Sequence, residues 1–249
     1  MSDQFNRIVG EGLRRSGVSA VSGRAGTDVQ IDEGLRAYML RVYNYMVTGL
    51  ALTGAIAYIV ASTPAVFNAI FGTGLHWVVI LAPLGLVFFL SARINKMSAT
   101  AAQISYWIFA GLMGLSLASV FVIYTGESIA RVFFITAATF AAMSLYGYTT
   151  KRDLTGLGSF LMMGLIGIII AMVVNLFIGS TMVQFVISVL GVLIFTGLTA
   201  YDTQKIKEMY NEVDSSDIAG KKAIMGALRL YLDFINLFLM LLHLFGNRN

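Results

Sequence analysis

Cysteine is absent from the 249 residues, which excludes disulfide scaffolds, Cys-ligated structural zinc and thiol chemistry. Proline occurs only twice, and a chain so poor in the residue that breaks helices has room for long uninterrupted ones. Charge is the third shortage. Only 12% of residues are Asp, Glu, Lys or Arg, against about 25% in soluble domains. A soluble globule of this size could not cover its surface with so few charges, so a soluble enzyme domain, a disordered chain and a fibrous one are all excluded. What is abundant is apolar: 57% of residues are hydrophobic and the mean hydropathy is +0.79. The composition describes an all-α integral membrane protein. Its net charge of +4 reads as the basic bias of loops on the cytoplasmic side, not as an affinity for nucleic acid.

The placement of the charges divides the chain. Eleven of the 30 fall within residues 1–41, and the rest form short clusters separated by charge-free runs at 42–92, 97–126, 132–150 and 154–201. A helix needs about 20 apolar residues to cross ~30 Å of hydrocarbon, so the runs hold two, one, one and two spans. The first run is divided near Ser62-Thr63-Pro64 and Phe71-Gly72-Thr73-Gly74, the last at Ile178-Gly179-Ser180-Thr181. A seventh span lies between Lys221-Lys222 and Arg248. The expected spans are 38–62, 74–92, 102–125, 129–149, 156–178, 181–203 and 223–246. These are helices, because the runs lack the period-2 alternation of a barrel strand and are about twice its length. Small residues at fourfold spacing, Ala110/Gly114/Ala118 and Gly167/Ala171/Asn175, mark either close helix approaches or plain lipid-facing stripes.

With the N-terminus in the cytoplasm, 14 of the 17 basic residues fall on the cytoplasmic side and the outer segments hold only Arg131 and Arg248. The alternation over seven spans then puts the C-terminus outside. Residues 1–30 read as a flexible cytoplasmic tail with no apolar signal-peptide region, and residues 31–249 as the seven-helix transmembrane domain. The bacterial inner membrane fits these features best, a eukaryotic internal membrane being the alternative.

Ionisable groups at membrane depth are costly and therefore mark function. Three qualify: Asp202 at the cytoplasmic end of the sixth span, Asp233 about eleven residues into the seventh, and Arg229 one turn before Asp233. Bland readings exist for each: Asp202 at the headgroups beside Lys205, and Asp233 paired with Arg229 at i,i+4 spacing. The functional reading has both carboxyls meeting in the interior, where they titrate as a coupled pair. Such a pair suits a proton-sensitive gate, or a transient site for a hard cation such as calcium, which takes six to eight oxygens. Two carboxylates alone make that site weak, and permeation requires weakness. His76, His243 and Glu127 read as interfacial or solvated groups, Asn236 as an interhelical hydrogen-bonding residue, and the segment from Lys205 to Lys222 as a solvated loop of mixed charge. No nucleophile–base set, His cluster or phosphate loop is present, so the chain is expected to be no enzyme and to hold no cofactor, with transient calcium the exception.

The stretches Ala200-Tyr201-Asp202-Thr203-Gln204 and Ala227-Leu228-Arg229-Leu230-Tyr231-Leu232-Asp233-Phe234-Ile235-Asn236-Leu237-Phe238 resemble the Bax inhibitor-1 family. The loop Thr150-Lys151-Arg152-Asp153-Leu154-Thr155-Gly156-Leu157-Gly158 is similar to the same family's loop. The resemblance covers about residues 36–246. It implies six helices around a central seventh, and a proton-sensitive calcium leak in which the family's aspartyl pair falls on Asp202 and Asp233. It also implies an arginine latch from the second span, whose position falls on Arg93; Arg229 is a rival latch by its spacing. The expected partners are the lipid bilayer, calcium and protons. The alternative function is a non-transporting membrane protein that binds and regulates another, such as a membrane protease.

Overall fold

Each charge-free run folds into helix, and the breaks fall where hydroxyls and glycines can satisfy free backbone ends. The computed structural model describes residues 33–249; the tail expected over 1–30 lies outside them. Among the described residues seven helices are long and apolar enough to cross a membrane. They are α1 (Glu33–Ala61), α3 (Leu75–Arg93), α4 (Ala99–Ile123), α5 (Gly126–Thr149), α6 (Thr155–Ile178), α7 (Thr181–Glu208) and α8 (Ser216–Phe245). A short eighth helix, α2 (Pro64–Phe71), fills the connection between the first two spans. The all-α, multi-span membrane architecture expected from composition is the architecture found.

Capping explains the boundaries. Ser98, Thr125, Ser180 and Ser215 each place a side-chain oxygen on the free N–H three residues ahead, opening α4, α5, α7 and α8. This is the standard way to satisfy an orphan donor at a helix start. Pro64 opens α2, where its missing N–H is not needed. Gly179 closes α6 at φ +66°, a left-handed turn that leaves room for only one residue before Ser180 caps the next helix. The largest departure from the expected spans is α8, which begins at Ser216 rather than 223. Lys221 and Lys222 end the apolar run but not the helix, because both reach back to anchor it. Lys221 binds Asp217 at 2.9 Å and Lys222 binds Asp214 at 2.6 Å. The segment from Lys205 to Lys222 is thus mostly helix and salt-bridged turn, not a plain solvated loop.

Burial separates α8 from the rest. Nearly three quarters of its apolar stretch (72%) is buried, while no other span exceeds 28%. Leu230, Tyr231 and Leu237 are wholly inaccessible, whereas Phe88, Phe134 and Phe177 on α3, α5 and α6 are exposed and face where lipid would be. Helices α4, α5 and α7 pack directly on α8. α1 reaches it through the Thr53 hydroxyl on Tyr231 at 2.7 Å. α3 packs chiefly on α4, and α6 chiefly on α7.

Of the two small-residue stripes, Gly114 faces the Thr53 carbonyl and Ile56 so closely that a Cβ would not fit, whereas Gly167 has open space around it. The first stripe seats α1 on α4; the second does not bring a helix close. At the end of the bundle opposite Lys221 and Lys222, the chain after α8 is pinned across the α4–α5 turn. Asn249 donates its N–H to the Ile123 carbonyl at 3.0 Å, and Thr125 donates to Asn247 at 3.0 Å.

Candidate functional site

The Asp202 segment is held from three sides. Gly147 of α5 lies against the Ala200 carbonyl, and Gly158 of α6 lies under the Tyr201 ring, each so close that any side chain would collide. The third hold is Gln204. Its Oε1 accepts from the Leu154 N–H at 2.9 Å and its Nε2 donates to the Arg152 carbonyl at 2.8 Å. One amide therefore satisfies both the donor and the acceptor of the α5–α6 connection, as a side-chain amide is equipped to do. Lys207 adds a bond to the Tyr148 carbonyl at 2.8 Å. The two sequence stretches that stand about 50 residues apart are one structural unit.

Asp233 of α8 lies beside that unit, near enough to Asp202 for the two carboxyls to influence each other. Asp233 is buried, and its Oδ2 has no hydrogen-bond partner. Buried charged oxygens are ordinarily paired or neutralised, because an orphan costs several kcal/mol. A proton carried by the pair, or a cation bound to it, would satisfy such an oxygen. Asp202 sits at the edge, its side chain 17% exposed, with Arg229 Nη1 4.0 Å from its Oδ1. That separation is long for an ion pair and the arginine is half exposed, so the contact is a loose one.

Several expected contacts are arranged differently. Lys205 binds Glu208 at 2.7 Å and not Asp202. Arg229 leans toward Asp202, with no ion pair to Asp233 among the described residues. Arg93 ends α3 in an exposed position and has no ion pair there among the described residues. Asn236 donates to the Leu232 carbonyl of its own helix at 2.8 Å, so it is not an interhelical bridge. Among the described residues no cluster of three His, Cys, Asp or Glu forms. A cation at the pair would complete its shell with carbonyls, hydroxyls and water.

A network of hydroxyls lies beside the pair. Tyr43 bonds Ser144 at 2.6 Å, Ser144 bonds Thr203 at 2.9 Å, and Thr203 donates to the Thr199 carbonyl at 2.7 Å. This chain links α1, α5 and α7 at the residue beside Asp202. Thr53 similarly joins Tyr231 to the Ala110 carbonyl. The Tyr38 hydroxyl is buried without a partner. Outside the spans, Asp153 accepts from the Thr155 hydroxyl at 2.6 Å and the Thr155 N–H at 2.8 Å. These two bonds hold its carboxyl below the usual range, the nearby Lys205 charge adding a little.

The fold and the pair together define a class: a multi-span helical membrane protein with an acidic pair enclosed where its helices meet. Comparison with known proteins narrows it. Residues 35–249 match the family described as Inhibitor of apoptosis-promoting Bax1. The Escherichia coli K12 protein named Inner membrane protein YbhL is 48% identical over 228 residues, covering 90% of this chain and 97% of its own length. A Rickettsia prowazekii protein, RP147, is 51% identical over 217 residues, covering 87% and 92%. A Caulobacter vibrioides protein is 47% identical over 229 residues, covering 88% and 92%. The chain belongs to the Bax inhibitor-1 family.

Proposed function

We propose that the protein is a pH-sensitive leak pathway for calcium in a bacterial inner membrane, gated by Asp202 and Asp233. One observation carries the reading: two carboxyls meet in a bundle of apolar helices, and one oxygen of the buried partner has no donor. Such an arrangement is costly, and a fold retains it where the charge state does work. The similarity to YbhL supports the inner membrane, and the clustering of Lys and Arg at one end of the bundle supports a cytoplasmic N-terminus.

At high pH the ionised pair attracts Arg229 or a calcium ion; protonation removes both attractions. The bundle is thereby a two-state element biased by local charge. Arg229 is the latch supported by contact, at 4.0 Å from Asp202, and Arg93 the latch implied by family resemblance. Two carboxylates supply at most four of the six to eight oxygens that calcium takes, so the ion binds briefly and passes on. The reading needs no resident cofactor and no enzymatic step.

Calcium flux into liposomes containing only this protein tests it. Wild type should leak calcium with a rate that changes between about pH 5 and 8, and Asp202→Asn and Asp233→Asn should each flatten that dependence. Arg229→Gln should raise the leak at high pH, and Arg93→Gln should match wild type if Arg229 is the latch. Unchanged flux and pH response in both aspartate variants would sink the proposal. A wild type without flux in pure liposomes would favour the non-transporting, partner-binding alternative.

A further inference from the structure

A sizeable hollow lies away from the aspartates. It is a groove of about 1120 Å³ between α1 and α5. Its origin is visible in the sequence. Gly54 and Ala55 on α1 face Gly126, Ala130 and Ala137 on α5 along its walls. Small residues in membrane bundles usually let helices close on each other. Here they do not: nothing stands within 4 Å of where a Cβ would sit on Gly54 or Gly126. The helices are joined by the Tyr43–Ser144 hydrogen bond, with open space at Gly54 and Gly126.

The groove is apolar along its length, with Phe140 and Phe234 in its lining, and it has one charged lining residue, Arg36. Arg36 lies at the end where Lys221 and Lys222 also emerge, makes no ion pair with any described residue, and shares the mouth with Tyr148. The Lys207 ammonium stands 5.1 Å from the Tyr148 ring centre. Glu33, one turn before Arg36, is not within ion-pairing distance of it. Among the described residues, the mouth therefore presents positive charge without an acidic partner over a hydrocarbon slot.

From Arg36 to Tyr58 the lining spans 23 residues of α1, about 33 Å of helix. The groove is open along its side and long enough for an extended acyl chain.

We propose that this groove is a binding site for an anionic phospholipid, its headgroup at Arg36 and its chain between Gly54 and Ala137. The lipid would lie against Phe234, the neighbour of Asp233, and so against the most enclosed helix.

The test is lipid retention by the full-length protein in native mass spectrometry, after exchange with equal amounts of phosphatidylglycerol and phosphatidylcholine of matched chains. Wild type should retain phosphatidylglycerol preferentially. A basic residue near an anionic lipid surface contributes about 1 kcal/mol, roughly a fivefold preference, so Arg36→Gln should lower the preference about fivefold. Gly54→Leu, which enters open space, should reduce retention of both lipids, whereas Gly85→Leu, equally open but on α3, should not. Equal retention of the two lipids by wild type, an unchanged preference in Arg36→Gln, or unchanged retention in Gly54→Leu would overturn the site. A dimer lost only in Gly54→Leu would assign the groove to a second copy of the chain instead. None of these readouts depends on ion flux, so the site stands or falls apart from the leak.

Discussion

Asp233 and Gln204 are both buried polar residues, yet they have opposite relations to their surroundings. Gln204 has its donor and acceptor capacity used by the Leu154 N–H and the Arg152 carbonyl, while Asp233 retains an oxygen with nothing to bind. The first is a fastening and the second a reactive remainder. Removing the fastening leaves two backbone groups unpaired, each costing about 1–3 kcal/mol when buried. Gln204→Leu should therefore lower the thermal midpoint of the purified protein by several degrees and expose the Lys151–Arg152 bonds to trypsin. A melting curve and digestion rate equal to wild type would refute the fastening.

Asp153 gives a second residue-scale expectation. Its carboxyl is held low by Thr155, so whatever it contributes is present above the ordinary carboxylate range and lost only as pH falls through a lower value. It stays charged throughout pH 5 to 8, and Asp153→Asn should leave any pH response of the leak in that window unchanged. The aspartates were legible in the sequence because charge is conspicuous at membrane depth. Tyr43, Ser144 and Thr203 were not, because a hydroxyl in an apolar span costs little and can bond its own helix; only the fold shows which three meet.

Among elements, α7 is the one that others grip. Gly147 of α5 abuts Ala200 and Gly158 of α6 abuts Tyr201, so the helix segment carrying Asp202 is closely packed on two sides. Gly147→Val forces backbones apart at a site where the obstructing atoms are main chain, not flexible side chain. The expected cost is about 1–3 kcal/mol or more, read as a loss of folded protein in detergent and a shifted pH response if Asp202 is displaced. A stable variant with a wild-type response would show that α5 and α7 have play between them. The spans themselves were readable because the hydrocarbon excludes charge. Where helices end was less so: α8 starts seven residues before the expected 223, and α2 occupies what read only as a break. Caps and salt bridges extend helices into water, where hydropathy carries no signal.

For the whole molecule, the decisive asymmetry is of charge between the two ends. Arg36, Lys96, Lys151, Arg152, Lys207, Lys221 and Lys222 are grouped on one side of the expected topology, and Arg131 and Arg248 on the other. Single cysteines at Lys151→Cys and Arg131→Cys, probed in intact cells with a membrane-impermeant thiol reagent, should label only at position 131. Labelling at 151 instead would invert the topology.

The Gln204 clamp has a consequence for anyone wishing to watch this protein operate. Because Asp202 and Gln204 share one rigid turn of α7, and Gln204 holds the 152–154 backbone, the α5–α6 connection is coupled mechanically to the acidic pair. A fluorophore on Lys151→Cys is the chain's only thiol label, there being no natural cysteine to compete. Its emission should follow the protonation of a pair it does not touch, making the loop a built-in gauge needle for the interior.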